Sequence, residues 1–597
     1  MKLKTKPYRL WDYIAISLRC APVVTTLMLL RRFLVGVTPA LKILTTALFV
    51  DTALAIFAGD AESGAIFRPL LYILLLLIWG QLTDVLGDML QIRAAARRAE
   101  LFRVAVFDKR ARLEYKHIED NETWELLNRT CTAPDAWLGD GFSYMAEACT
   151  IIISMLSLLS VIMTEVWWAG LAIIGFWAPL FYFMYRAGQK TYEADKEAKK
   201  HTRRADYLMG VITGRENAEE RSLFDYTGNL DKQWYEKYES ARKINQKVRT
   251  EHLLKSKGGT LLSLVFSTGF IAILVFPLGT GDLTIGMFAG LATAILHLVG
   301  TLSWQLSWLI REVITCSEFM KDLTKFTTLS EREGAVDIPA SMKDFRLESI
   351  EFRDVSFAYP GTERLILKGF NLTIEAGRHY AFVGANGAGK TTITKLLCGL
   401  YDNYTGEIYV NGKNLKEYTL AELKSLFSVV YQDFARYYIP LRDSVALGDV
   451  SELGGEDSRL TDILQTVELT ERVEKLPHGA DTYLGRIKSG GVDLSGGEWQ
   501  RIAIARSLFS KTVLRILDEP TAALDPVAES NVYKMFGEIS RGQTTLFITH
   551  RLGAARLADV IVVIDEGRAA ETGSHETLME QNGLYAEMFN AQRSWYQ

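Results

Sequence analysis

Long apolar runs with few charges crowd the first 330 residues of this chain and are absent from the remainder. Residues 69–83, 148–163, 166–185, 259–279 and 285–310 are mostly Leu, Ile, Val, Ala, Phe and Trp. Several are long enough to cross roughly 30 Å of hydrocarbon as helices, and a water-soluble fold could not bury them all. Residues 21–57 bring the expected spans to six, although Arg31, Arg32, Lys42 and Asp51 interrupt that stretch. A charge near the bilayer centre costs about 3 kcal/mol on insertion scales, so these four need partners. From Phe345 to Gln597 short apolar segments alternate with Gly, Asp and Lys, as in a globular domain. A chain of 597 residues exceeds one core, and the expected division is an all-α membrane domain over 1–335, a linker over 336–344 and a globular α/β domain over 345–597.

Charge sets the orientation. Residues 58–65, 164–167 and 277–284 are short connections without Lys or Arg, whereas 93–129 and 186–257 are long and rich in both. The positive-inside rule then puts the long segments and both termini in the cytoplasm of a multi-pass protein in the plasma or inner membrane, in contact with lipid. The basic start at Lys2, Lys4, Lys6 and Arg9 precedes an apolar region too long for a signal-peptide core. The inner segments mix Ala, Glu, Lys, Arg and Leu without turn residues, so they should prolong the membrane helices. Their tips are expected at 120–129 and 211–224, where they would press on the cytosolic domain. A net charge of -4 excludes a nucleic-acid-binding surface, and five scattered cysteines form neither a disulfide framework nor a zinc site.

The second half carries chemistry in a fixed order. Tyr380 to Val383 reads as a buried strand and runs into Gly384-Ala-Asn386-Gly387-Ala-Gly389-Lys390-Thr391-Thr392, a complete phosphate loop. Its backbone N–H groups can close around phosphates, Lys390 can reach the β and γ oxygens, and the Thr391 hydroxyl can ligate Mg²⁺. The helix that follows points its positive end at the same anion. Further on stand Leu494-Ser495-Gly496-Gly497-Glu498, then an apolar segment ending in Asp518-Glu519, then His550. Taken singly, a strand-end tyrosine such as Tyr359 is usually a packed aromatic and a lone histidine a satisfied one. The ordered set is what assigns them.

This combination resembles the ATP-binding cassette family, and the resemblance covers essentially the whole chain. It implies ATP and Mg²⁺ as cofactors and the fold of an exporter-type (type IV) half-transporter. By that correspondence Tyr359 would stack on adenine, Gln432 in Val-Tyr-Gln-Asp would be the Q-loop residue that holds metal and water, and Leu494 to Glu498 would be the signature, with Ser495, Gly496 and Gly497 as its anion nest. Asp518 would hold Mg²⁺ with Thr391 and Gln432, Glu519 would be the base, Asp525 the D-loop residue and His550 the switch histidine. Two features depart from the pattern. Arg515 stands in an otherwise apolar strand, where it is expected to snorkel toward an edge. The segment Gly485 to Gly491, with Arg486 and Lys488, lacks the usual acidic character.

The resemblance also implies that two cassettes sandwich the nucleotide, and this chain has one of each motif. A homodimer would have two competent sites; a heterodimer is the alternative. An active exporter of a drug, lipid or peptide-class substrate is the favoured reading, with an exporter-fold importer of siderophore-like molecules and an ATP-gated channel or regulatory subunit as the others. For the substrate path, His297, Thr301, Trp304, Trp308 and Arg311 follow helical spacing and should share a face. Arg31 and Arg32 would offer contacts to anionic groups.

Overall fold

In the first part of the chain the apolar runs fold as long helices: Pro22–Ala58, Phe67–Arg98, Pro134–Glu165, Trp167–Thr213, Thr227–Ile273 and the pair Ile285–Gly300 and Ser307–Thr328. This computed structural model describes the chain except residues 215–216, 225, 302–304, 306, 343, 454–457, 486–489, 520–542 and 595–597, and between 176 and 262 it describes some positions by backbone alone. Pro22 and Pro134 open their helices where a missing N–H costs nothing, and Gly59 closes the first helix in the left-handed conformation. Among the described residues, Pro22–Ala58, Ser63–Arg112, Pro134–Glu165 and Ser263–Thr280 are long and apolar enough to cross a membrane. The span expected at 166–185 lies within Trp167–Thr213. The span expected at 285–310 is traced as Ile285–Gly300 and then from Ser307.

Exposed leucines mark these helices as lipid-facing rather than soluble. On Phe67–Arg98, Leu74 and Leu77 remain 53% and 58% exposed, a face that water would penalise and hydrocarbon would not. Where helices meet, glycines admit close approach. A Cβ at Gly36 would lie 2.8 Å from Ile153 Cγ2, and one at Gly290 would lie 2.9 Å from Ile43 Cγ2; small contact residues of this kind let helices pack by van der Waals forces in lipid.

Three of the four interrupting charges of the first long helix have partners elsewhere in the helical unit. Arg31 pairs with Asp84 at 3.1 Å and Arg32 pairs with Glu147. Asp51 accepts hydrogen bonds from the Gly286 N–H and the Thr284 hydroxyl, each at 2.7 Å. Such partners lower the cost of carrying those three charges, and Pro22–Ala58 runs as one helix of 37 residues.

Trp167–Thr213 and Thr227–Ile273 each contain 47 residues, about 70 Å at 1.5 Å per residue, well beyond a bilayer. The connection between them carries the short helix Ala218–Leu223, within the tip expected at 211–224. The other turn comes earlier than expected. Asn121–Cys131 is a helix that buries Leu126, Leu127, Thr130 and Cys131 along one face, so the chain reverses ahead of it, around Lys116–Glu119.

Two compact units result: Met1–Arg110 with Glu122–Leu329, and Ala111–Asn121 with Ser330–Gln597. The division therefore falls at 329/330 rather than 335, and a short piece from the helical half belongs to the second unit. Among the described residues that unit has ten strands: β1 Ser349–Ala358, β2 Leu365–Glu375, β3 His379–Val383, β4 Thr405–Val410, β5 Lys413–Asn414, β6 Phe427–Val430, β7 Leu514–Asp518, β8 Thr544–Ile548, β9 Val560–Asp565 and β10 Arg568–Gly573. The antiparallel sheet has the order β2-β1-β4-β5, and the larger sheet has the order β10-β9-β3-β8-β7-β6. In the larger sheet β6, β7, β8, β3 and β9 run parallel. β7 and β8 are buried along their full length, as strands covered on both faces must be.

β7 lies between β8 and β6, so Arg515 sits inside the sheet and not at an edge. Its side chain is buried, with one guanidinium nitrogen donating to the Gln543 side chain. The snorkelling expected from the sequence is replaced by a buried cation beside an amide.

Candidate functional site

In an open parallel sheet, ligands bind beyond the carboxyl ends of the strands. Here four neighbouring strands deliver the ordered motifs to that one edge. β3 leads into the phosphate loop, β7 ends on Asp518 with Glu519 next, β8 is followed by Thr549 and His550, and Gln432 lies two residues past β6.

The loop after β3 depends on glycine at its two ends. At Gly384 φ is +147° and a Cβ would lie 2.1 Å from the Ile564 carbonyl oxygen; at Gly389 φ is +109° and a Cβ would lie 2.8 Å from Leu367 Cδ2. Both positions exclude side chains, which holds the backbone N–H groups close to anything the loop encircles. Asn386 and Gly387 form its exposed crest. Gly389 caps the helix Lys390–Leu397, whose first residue is Lys390. The Lys390 ammonium donates to the carbonyls of Gly384 and Ala385, both at 2.9 Å. Burial lowers its pKa from the ordinary lysine value, while Glu519 and Asp518 pull the other way.

Asp518 is buried, which pushes its carboxyl above the ordinary value, and it accepts a side-chain hydrogen bond from Thr391 that works against that shift. The two hard oxygens expected at the metal are thus adjacent. His550 Nε2 lies 2.6 Å from Glu519 Oε1. Burial and the Lys390 charge push His550 below the ordinary imidazole value against the pull of Glu519. Glu519 itself has φ +48°, a left-handed conformation uncommon for a residue other than glycine.

Ser495 caps the helix Gly496–Phe509 in a reciprocal arrangement: its hydroxyl accepts from the Glu498 N–H, and its own N–H donates to the Glu498 carboxylate at 2.7 Å. Ser495 and Gly496 are exposed, so the N–H groups at this helix start face outward. Asp525 lies outside the described residues, as do Arg486 to Ser489 of the atypical segment before the signature.

Tyr359 is partly buried, and its hydroxyl lies 3.0 Å from the Thr392 hydroxyl. Tyr359 thereby joins the phosphate-loop helix. Around it stands a group that the sequence did not single out. Lys395 holds its ammonium 5.3 Å from the centre of the Tyr359 ring and 5.6 Å from that of Tyr115, and it pairs with Glu119 at 2.5 Å. Tyr401 donates to the other Glu119 oxygen and meets Tyr359 edge-on at 5.6 Å. Burial raises the Glu119 carboxyl, but the bonds from Lys395 and Tyr401 outweigh it and hold it below the usual range. Tyr115 and Glu119 come from Ala111–Asn121, the piece contributed by the helical half. No local signal could have found this group, because a lone lysine on a helix reads as a solvated one and Glu119 is 276 positions away in the chain.

In the helical unit, His297, Trp308 and Arg311 are exposed while Thr301 is buried and bonded to the His297 carbonyl at 3.0 Å. Trp304 lies outside the described residues, so the expected single face is traced only on either side of it. Trp308 packs edge-on against Tyr144 at 5.2 Å. Arg31 and Arg32, the other residues expected on the substrate path, each hold the carboxylate noted above.

A parallel-sheet ATPase edge carrying a phosphate loop, an acidic strand end and a capped glycine helix, in one chain with apolar helices, defines an ATP-driven membrane transporter. A family profile described as ABC transporter matches residues 367–522. The nisin transport ATP-binding protein NisT of Lactococcus lactis subsp. lactis is 30% identical over 464 residues, covering 76% of this chain and 75% of that protein. The subtilin transport ATP-binding protein SpaT of Bacillus subtilis is 29% identical over 493 residues, covering 81% and 78%. A bacterial Atm1-family ABC exporter solved with ATP bound superposes with a TM-score of 0.73 at 23% identity, over 96% of this chain and 99% of that one, which establishes the fold. The chain belongs to the ABC transporter family, and it couples ATP hydrolysis to transport across a membrane.

Proposed function

We propose that two copies of this chain form an exporter that moves a peptide- or lipid-class substrate out of the cytoplasm, with both termini on the cytoplasmic side. The observation that carries the ATPase part is the convergence of Lys390, Asp518, Glu519 and His550 at adjacent strand ends. In this reading Gly384, Asn386, Gly387, Gly389 and Lys390 hold the phosphates of ATP, Thr392 steadies the loop, and Tyr359 takes the adenine. The Thr391 hydroxyl and the Asp518 carboxylate suit Mg²⁺, a hard cation that takes oxygen ligands and shares phosphate oxygens, and Gln432 completes that side. Among the described residues no cluster of three acidic, His or Cys side chains offers a self-contained metal cage, which fits a cation shared with nucleotide. Glu519 accepts a proton from the attacking water, and His550 keeps Glu519 in place by donating Nε2–H.

Dimerisation follows from chemistry that one chain leaves incomplete. Ser495, Gly496 and Gly497 present an exposed helix start, which favours anions, and in a pair of chains it would face the partner's phosphate loop. Asp525 would lie between the two cassettes. The substrate class rests on the relatives, whose names carry subtilin and nisin, and on a helical unit that pairs Arg31 and Arg32 internally and leaves His297 and Trp308 exposed. Inverted vesicles carrying the purified protein should accumulate such a substrate only with ATP; accumulation in right-side-out vesicles instead would reverse the direction. In nanodiscs, His297→Ala should raise the concentration of a stimulating peptide needed for half-maximal ATPase by roughly threefold or more, the loss of about one modest contact. An unchanged concentration dependence would move the substrate path elsewhere.

A further inference from the structure

We propose that Lys395 and Glu119 are positioning residues for the nucleotide base, so that purine affinity is set jointly by the cassette and by the segment Ala111–Asn121. The proposal rests on the reading of Tyr359 as the adenine residue. A base-stacking ring needs a fixed orientation and a suitable electron density. The Tyr359 hydroxyl, 3.0 Å from Thr392, anchors one end of the ring, and Tyr401 and Phe357 meet it edge-on at 5.6 and 5.1 Å. The Lys395 ammonium lies over the same ring at 5.3 Å. A cation at that distance draws on the electron density of the ring and makes its exposed part a better partner for an electron-rich purine.

Lysine is a flexible four-carbon chain, so its place over the ring has to be held. Glu119 holds it, through the 2.5 Å ion pair, and is itself fixed by the Tyr401 hydroxyl. Both pair members are mostly shielded, with Lys395 17% and Glu119 32% exposed at the side chain, so their attraction is less screened than that of a surface pair. The chain around Glu119 is tied down independently: Leu113 bridges Glu331, the Glu114 N–H donates to the Ser330 carbonyl, and the Arg332 N–H donates to the Arg112 carbonyl. A loop that merely lay on the surface would need none of these bonds.

The test compares affinity for ATP with affinity for inorganic tripolyphosphate, measured on the full chain in nanodiscs with EDTA so that binding is read without turnover. The ratio isolates the contribution of the base. Lys395→Met should weaken ATP by about fivefold, the effect of losing a partly shielded cation–π contact, and leave tripolyphosphate unchanged. Lys395→Arg, which keeps the charge, should retain the ratio. Glu119→Gln should lower it by about threefold, and the exchange Glu119→Lys with Lys395→Glu should fail to restore it, because a carboxylate would then face the ring. If Tyr359→Ala lowers the ratio while Lys395→Met and Glu119→Gln do not, the pair has no part in base binding and the proposal falls alone. If Tyr359→Ala leaves the ratio intact, the adenine reading falls first. Equal losses for ATP and tripolyphosphate in Lys395→Met would reduce Lys395 to a structural residue and overturn the proposal.

Discussion

Glu519→Gln should bind ATP with near-parental affinity and hydrolyse it at least about a hundredfold more slowly, the contribution of a positioned general base. The amide keeps the size and the hydrogen-bond acceptor of the side chain but cannot accept the proton of the attacking water. Lys390, Thr391 and Asp518 are untouched, so the phosphates remain held. With the step that opens the cassettes blocked, ATP should keep two chains together, seen as an ATP-dependent shift to dimeric cassette cross-links. Steady-state phosphate release close to that of the parent would assign the base elsewhere. His550→Ala gives a useful contrast, since it removes the 2.6 Å bond that holds Glu519 while leaving the carboxylate, and its loss should be the smaller of the two.

The second large effect concerns shared sites. In a tandem-linked dimer, Lys390→Ala and Ser495→Arg on the same copy should abolish ATPase, because one change disables the phosphate loop of one site and the other disables the signature of the second. Placing the two changes on opposite copies directs both at one site and spares the other. The split arrangement should therefore exceed the same-copy arrangement by about tenfold or more in ATP turnover, the difference between one intact transition-state environment and none. Equal rates would mean that each chain completes its own site. Ser495→Arg removes the hydroxyl that accepts the Glu498 N–H, at a cost of about 1 kcal/mol to the helix start, but the position is exposed and lies outside the buried Trp499 and Ile502.

The parts legible in the sequence are those with a local signature. β3 and β7 announced themselves as apolar runs ending in Gly384 and Asp518, because strands buried on both faces tolerate little else. The long helices followed from length and hydropathy alone. Arg515 misled because one charge in an apolar strand reads as an edge, whereas the sheet order places β7 inside and supplies Gln543. The partners of Arg31 and Arg32 were hidden for a related reason: Asp84 and Glu147 stand more than 50 and 110 positions away, and their pairing is a property of helix packing. The first turn was misplaced by the helical period of Asn121–Cys131, whose polar start resembled a tip. The Lys395–Glu119 group was invisible because it has neither spacing nor period, only proximity created by the fold.

The bond between Ala111–Asn121 and Ser330–Gln597 has a consequence for modular engineering. A cassette excised at residue 330 or 345 would omit Leu113, Tyr115 and Glu119, leaving Lys395 and Tyr401 without the partners they have here. Chimaeras made by grafting a relative's cassette at that boundary would join a foreign nucleotide domain to a mismatched eleven-residue insert. Graft donors should therefore be chosen in two pieces, with the insert transplanted together with the domain it completes. By the same reasoning, coordinated substitution of the two segments is the route by which such a protein could exchange its motor without losing the fit between its parts.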